Sequence, residues 1–406
     1  MIRPRDVALS LLGAWLLVVG VSTLMPTNGL TPPLTPGRFL CVGCSARATA
    51  DGILNWLLFL PGGVLMTLVL GGRRAMRAAL GLTVALEVIQ IGLAGRDPAL
   101  QDLLFNALGA VSGVVLVRRG VGSPGWRALG ASAALAWLAP TVLLVPLTTS
   151  AQLFGQWTPA HSSLEVYRGR VLAARVGDVQ VRSGPVADPL QLALERALAR
   201  RDSVVLQLVV GPAPVSFAPV FQVADAIPVG ILSIGLSRQD LVLRGKTLSH
   251  SLHLDRPDGR WAGAMSGLTP GDTVRVVVRR SDPGTCVTLG VRVRCGVAPS
   301  LGEGWGHLLN LDSVGSGLRV ALTVLWCLGL GLLIGAATGS RAWVAGIGLA
   351  VVGLVVGGIG AHVRFDLLGP LLLAGGAVLG GYARPRAAGL WRWLGGGALG
   401  AADGPE

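Results

Sequence analysis

Uncharged apolar runs recur along the chain at about residues 7–25, 52–70, 76–95 and 100–117. A fifth, over about 128–148, contains Pro140 and Pro146. A stretch of about 165 residues, 150–316, then carries charges throughout and no comparable run. Three more apolar segments follow, at about 318–338, 342–361 and 366–383. Each approaches the ~20 residues a helix needs to cross the hydrocarbon core of a bilayer. The pattern predicts a polytopic α-helical membrane protein with about eight transmembrane helices, five before and three after one inserted domain. The expected divisions are a five-helix membrane domain over 1–149, the insert over 150–316, three C-terminal helices over 317–384 and a tail over 385–406. The first run lacks a small-residue cleavage site and reads as a retained helix.

The insert has a different period. Short β-branched or alternating runs lie at 204–210, 230–236, 241–244, 248–254 and 274–280. Several are separated by turn signals such as Pro257-Asp258-Gly259, Thr269-Pro270-Gly271 and Asp282-Pro283-Gly284. Many short strands with Gly/Pro turns predict an all-β jelly-roll sandwich. Apolar positions at helical spacing predict one helix within it, over 189–201.

Composition narrows the class further. Of 406 residues 51% are hydrophobic and 14% charged, against about 25% charged in an ordinary soluble domain. That excludes disorder and argues against a plain soluble enzyme. The net charge of +13 rests almost wholly on arginine, since Lys246 is the sole lysine. The arginines mark the ends of apolar runs, as the positive-inside rule requires, so no nucleic-acid partner is inferred. Arg3, Arg5, Arg73, Arg74, Arg77, Arg118, Arg119, Arg127, Arg341, Arg384, Arg386 and Arg392 fall on one side, and Arg38, Arg47, Arg96 and Arg364 on the other. Both termini are therefore expected in the cytoplasm, with the insert extracytoplasmic.

The cysteines agree with that placement. Cys286 and Cys295 lie nine apart across an expected hairpin of the insert, where oxidising surroundings favour a disulfide. Cys41 and Cys44, in the Pro-rich loop after the first helix, also face outward. A structural disulfide is the first reading there, with a reduced or metal-binding pair and a quinone-exchanging redox pair as the others. Cys327, alone in the sixth apolar run, reads as packing.

Ionisable groups inside a bilayer cost about 2.5–3.5 kcal/mol each on insertion scales, so they ask for a reason. Asp51 and Asn55 share a helix face four residues apart, Glu87 and Gln90 are three apart, and Arg96 and Asp97 begin the following turn. Asp102, Asn106, Gly109 and Gly113 make one stripe down the fourth run. At ~1.5 Å per residue, these groups fall in the outer half of the membrane on three neighbouring helices. Two readings stay open: the groups satisfy one another and fix the bundle, or they form a pocket that takes a head group or positions a proton. Gly109 and Gly113 form a small-xxx-small face for close helix approach.

The segment Asp51-Gly52-Ile53-Leu54-Asn55-Trp56-Leu57-Leu58-Phe59-Leu60-Pro61-Gly62-Gly63 resembles the D-x-x-x-N-x-x-x-F-x-P-x-G motif of VanZ-like membrane proteins. Glu87-Val88-Ile89-Gln90 resembles the family's E-x-x-Q, and Arg96, Asp102, Asn106, Gly109 and Gly113 resemble its R…D…N-x-x-G-x-x-x-G. The resemblance covers about residues 7–118. One departure is Ala99, where family members often carry a second aspartate; Asp97 is the available substitute. The insert is similar to concanavalin A-like (LamG-type) sandwiches fused to such helices, through His161-Ser162-Ser163-Leu164-Glu165-Val166, Ile231-Leu232-Ser233, Gln239-Asp240-Leu241-Val242-Leu243-Arg244 and Gly302-Glu303-Gly304-Trp305. The resemblance implies the bacterial cytoplasmic (inner) membrane, a cell-envelope role and an association with glycopeptide antibiotic resistance. It supplies no biochemical mechanism.

Other chemistry is thinner. His250 and His253 on an expected strand fall on opposite faces, poor for a shared metal. Asp225, Asp255 and Asp258 could ligate calcium but lack a loop cage, so solvated turns are the first reading. Trp157, Tyr167, Trp261 and Trp305 read as packing before sugar stacking. Neither a metal nor a cofactor is indicated. The expectation is a protein, more a receptor than an enzyme, whose Asp51, Asn55, Glu87, Gln90, Arg96, Asp102 and Asn106 recognise a lipid-linked cell-wall precursor or envelope glycan among the membrane lipids. The rivals are a membrane-embedded hydrolase or transferase with Glu87 or Asp102 as general base, and a bare anchor for the sandwich.

Overall fold

The structure, a computed structural model, describes residues 4–25, 39–40, 42–43, 45, 47–93, 98–120, 123–145, 154–156, 167–181, 184–185, 193–194, 196–197, 200, 202–224, 230–255, 257–280, 285–309, 316–359 and 366–395. Five long helices precede the insert: α1 (Pro4–Leu24), α2 (Ala48–Leu70), α3 (Gly72–Ile91), α4 (Leu100–Arg119) and α5 (Pro124–Leu143). The insert holds the one-turn α6 (Leu248–Ser251), and α7 (Ser316–Thr338), α8 (Ala342–Ile359) and α9 (Leu368–Gly395) follow it. Among the described residues α1, α2, α4 and α7 are long and apolar enough to cross a membrane. The helix α3 starts on Arg73, Arg74 and Arg77, and the apolar part of α8 is shorter, Ala342–Val355.

Two breaks in this helical run are made by glycine. Gly71 and Gly120, at φ 79° and 73°, end α2 and α4, a conformation that costs a side-chain-bearing residue more. Between them α2 and α4 run side by side in the same direction with their backbones touching. A methyl group on Gly63 would overlap the Ala110 carbonyl oxygen, one on Gly109 that of Trp56, and one on Gly113 that of Leu60. The small-xxx-small face expected at Gly109 and Gly113 is thus a helix contact. Gly62 leaves room for the Trp15 ring of α1, which stands edge-on to Phe59 at 5.7 Å between centroids and donates its indole N–H to the Leu58 carbonyl at 2.8 Å.

The helices pack as two groups of four. Trp15, Val19, Phe59, Met66, Ala79, Leu86, Ala110 and Val114 make the core of α1–α4. The helix α5 precedes the insert in the chain but buries Ala133 and Trp137 with Cys327, Leu330, Ile334 and Leu373 of α7 and α9. The Leu301–His307 3-10 turn, which leads out of the insert, contributes Leu301 to the same core.

The insert is a β-sandwich of two six-stranded antiparallel sheets. The first has the order β4 (Gly184–Pro185), β1 (Phe154–Gln156), β6 (Ala218–Ala224), β7 (Gly230–Ser237), β8 (Asp240–Gly245), β9 (Gly259–Trp261). The second runs β12 (Arg292–Arg294), β11 (Thr285–Leu289), β10 (Thr273–Arg280), β5 (Val204–Val209), β2 (Arg170–Val176), β3 (Val179–Gln180). Alternate residues such as Leu206, Leu208, Val276, Phe221, Ile234 and Leu241 fill the space between them, as period-two patterning requires. Residues 193–194 and 196–197 are helical, within the helix expected over 189–201. Cys286 and Cys295 form the expected disulfide across the β11–β12 hairpin. Cys41, Cys44 and the segment 161–166 lie outside the described residues.

One expectation fails. Residues 248–254 are not a strand but α6 and a tight turn, closed by His253 at φ 53°. The reason is tertiary: this segment is the seat on which the sandwich meets the helices. Leu248 N–H donates to Val145 O at 3.0 Å and Ser249 Oγ to Leu143 O at 2.9 Å. Ala50 N–H donates to His253 O at 3.3 Å, and Arg47 pairs with Asp255 at 2.7 Å. Ala50, Leu254 and Leu308 close an apolar cluster beneath these bonds. His307, 4% exposed, sits in the middle of the seat. Its Nδ1 lies 3.1 Å from the Asp255 carbonyl and 3.2 Å from Ser249 Oγ, so Nδ1 carries the proton and donates to that carbonyl.

Two predictions follow from this packing. Gly113→Val forces α2 and α4 apart and lowers stability by about 1–3 kcal/mol, the range for overpacking. Gly81→Ala, where nothing lies within 4 Å, leaves the melting temperature in detergent unchanged or slightly raised. The second concerns pH. Burial lowers the His307 pKa from 6.5 to about 4, against the opposing pull of its bond to the Asp255 carbonyl. Between those values the unfolded chain binds the proton and the folded one does not. Stability from this group is complete above about pH 6.5 and is lost as pH falls toward 4, about 3 kcal/mol over the interval. Melting curves at pH 7 and pH 4.5 are expected to diverge strongly for the native protein and less for His307→Gln.

Candidate polar site between the helices

Parallel packing of α2 and α4 sets Asn55 level with Asp102. The amide Nδ2 donates to Asp102 Oδ1 at 2.7 Å. Glu87 approaches from α3, 5% exposed. Its Oε2 accepts the Ala99 backbone N–H at 3.2 Å, which holds the start of α4 against α3. Asn106, one turn below Asp102, is 4% exposed, and its Oδ1 has no hydrogen-bond partner among the described residues. Three helices thus bring two carboxylates and two amides together in one region, at the spacing the stripe on α4 predicts.

The remaining expected residues distribute elsewhere. Gln90 is buried but turns to α1, donating to Thr23 O at 3.0 Å. Asp51 lies 3.9 Å from Arg47, with 44% of its side chain exposed. It belongs to the edge of the sandwich seat, through the Arg47 it shares with Asp255, and not to the cluster. Arg96 and Asp97 lie outside the described residues.

One residue escaped the reading of the sequence. Gln101 is 7% exposed, takes the Gly43 N–H on Oε1 at 2.7 Å and donates to the Ala48 carbonyl. It pins the loop ahead of α2 and the first residue of α2 to the start of α4. Its only signal was a polar residue beside Asp102 in an apolar run, and glutamine at a helix start is too common to stand out.

The lesser candidates of the insert are structural. Asp258 is buried and takes a two-pronged bond from Arg244 at 2.8 and 3.0 Å, so it is not a solvated turn residue. Asp255 holds Arg47. His253 meets the Ser45 carbonyl through Nδ1 at 2.9 Å. Tyr167, Trp261 and Trp305 are 8%, 8% and 3% exposed and pack inward; Tyr167 donates its hydroxyl to Val209 O at 2.6 Å. Asp225 and Trp157 lie outside the described residues.

Residues 5–121 match the family model described as VanZ/LLP1. The resemblance carried by the aspartate, glutamate and glycine motifs is therefore confirmed over α1–α4, the segment that holds the polar cluster. Comparison with curated proteins and with solved structures found no match.

The Asn55–Asp102 bond is the testable core of the site. Asn55→Leu and Asp102→Leu each remove this bond and are expected to lower the melting temperature. The double variant recovers part of the loss, with a coupling of about 1 kcal/mol. Strict additivity in a thermal double-mutant cycle is the contrary result.

Proposed function

We propose that the VanZ-like helices form a receptor for a lipid-linked or glycan head group at the outer leaflet of the bacterial cytoplasmic membrane. The insert, on the extracytoplasmic side, is then a concanavalin A-like module for envelope carbohydrate or a protein partner. The observation that carries this reading is the Asn55–Asp102 bond between α2 and α4, with Glu87 of α3 held on the Ala99 N–H at the start of α4 and the buried Asn106 Oδ1 lacking a partner among the described residues. A bundle that needed only cohesion would be served as well by apolar packing, because polar groups in hydrocarbon are costly unless fully satisfied. A ligand hydroxyl or amide N–H would satisfy Asn106. Arg96, which precedes α4 in the sequence, would meet an anionic group such as a phosphate. The family's association with glycopeptide resistance fits a ligand drawn from lipid-linked cell-wall precursors.

Two other readings each have an observation in their favour. Two carboxylates from different helices stand at the start of α4, Asp102 in its first turn and Glu87 of α3 on the Ala99 N–H, which suits a hydrolase or transferase with one of them as general base. The seat between α2, α5 and the sandwich suits an anchor.

Native mass spectrometry of the full chain, extracted from its membrane in polymer discs, separates them. A receptor retains a polyprenyl-phosphate-linked sugar adduct that falls at least fivefold in Asp102→Asn and Arg96→Gln. An enzyme accumulates that adduct in Glu87→Gln. The same lipid pattern in all variants leaves only the anchor.

A further inference from the structure

The two sheets of the sandwich handle their arginines in opposite ways. On the first, Arg244 and Arg260 are 12% and 9% exposed and are paired with Asp258 and Asp240. On the second, the register fixes which side chains face away from the core. Val209 stands between Arg170 and Thr273, Gln207 between Ala173 and Arg275, and Val205 between Arg175 and Val277, while Arg279 follows two residues on, opposite Cys286. Leu206 and Leu208, the alternate residues of β5, are buried in the core, so this row set lies on the outer face.

Arg170, Arg175, Arg275 and Arg279 are all exposed, and none has an ion pair among the described residues. Across β3, β2, β5, β10, β11 and β12, no outward strand position carries a carboxylate. Read in order along β5, the arginines alternate sides: Arg170 on β2, Arg275 on β10, Arg175 on β2, Arg279 on β10. With strands about 4.8 Å apart and about 3.4 Å of rise per residue, successive guanidinium-bearing positions stand about 12 Å apart and advance about 7 Å along β5. They flank a shallow track about 10 Å wide whose floor is Val209, Gln207 and Val205.

We infer that this track binds a linear polyol-phosphate polymer of the envelope, laid along β5 with its phosphates taken alternately by arginines on either side. An advance of about 7 Å per charge is that of an extended glycerol-phosphate backbone, and arginine is the side chain best suited to forked phosphate contacts. Gln207, exposed mid-track, offers its amide to hydroxyls. A single-stranded nucleic acid has similar phosphate spacing, but such sites add aromatic side chains for base stacking. The track floor is valine and glutamine, with alanine and threonine beside it. The inference goes beyond the proposed function and takes from it only the outer position of the insert. It does not involve the cluster between the helices, so either can fail without the other.

The test uses the full chain in uncharged detergent micelles and a fluorescent poly(glycerol phosphate) of about twelve repeats. Binding is expected, falling by tens of fold between 50 and 200 mM salt as about three to four contacts release counter-ions. Arg175→Gln with Arg275→Gln reduces affinity at least tenfold, as does Arg170→Gln with Arg279→Gln, while Arg294→Gln, on the edge strand β12, leaves it unchanged. Thermal melting of each variant confirms that the fold is retained. No binding, salt-independent binding, equal binding of neutral dextran, or double variants that bind as the native protein does would each overturn the inference. Tighter binding of an oligothymidylate would also overturn it and transfer the surface to nucleic acid.

Discussion

The backbone contact between α2 and α4 decides where the polar groups stand. Gly63, Gly109 and Gly113 let the two helices touch main chain to main chain, and that closeness brings the short Asn55 amide within 2.7 Å of Asp102. Larger residues at the contact would hold the axes farther apart, and neither side chain could bridge the gap. The cluster is therefore built from below: glycines deeper along the helices fix the spacing that carboxylate and amide use above them. The same dependence explains why polar residues and glycines share a single stripe on α4.

Much of this was legible in the chain because helical periodicity is a strong signal. The stripe of Asp102, Asn106, Gly109 and Gly113 predicted one face, and it is one face. The two-residue alternation of 204–210 and 274–280 likewise predicted strands, and the two are strands that pair with each other antiparallel. What periodicity does not carry is the choice of partner. Asp51 and Asn55 share a helix face, yet Asp51 turns to Arg47 and Asn55 to Asp102, because different neighbours lie at the two levels. Residues 248–254 read as a strand on composition and became a helical turn, since their backbone donors and hydroxyls bond to Leu143 and Val145 of α5. The affiliation of α5 with α7 and α9 was similarly invisible, as chain order gave it to the first group.

The seat of the sandwich joins both groups of helices to the insert. It draws Arg47 and Ala50 from the start of α2, Leu143 and Val145 from the end of α5, and Leu254, Asp255, His307 and Leu308 from the insert. A buried neutral imidazole at the centre suits such a seat, because His307 Nδ1–H can bridge the insert's own backbone while its ring fills space. Arg47 lies between two carboxylates, near enough to Asp51 to attract it and in contact with Asp255. This is the physical connection between the polar end of α2 and the sandwich.

That connection bears on how the two halves of the molecule would act together. Asn55 lies two helical turns beyond Arg47 on the same helix, so any tilt of α2 that changes the Asn55–Asp102 distance must also move Arg47 against Asp255. Gln101 adds a second link, since it ties the loop at Gly43 to the first residue of α2 from its place beside Asp102. The cluster and the seat of the sandwich are thereby connected through one helix and one loop. The start of α2 thus carries the groups that touch the insert, Arg47 and Ala50, within about two turns of the amide that bonds α4.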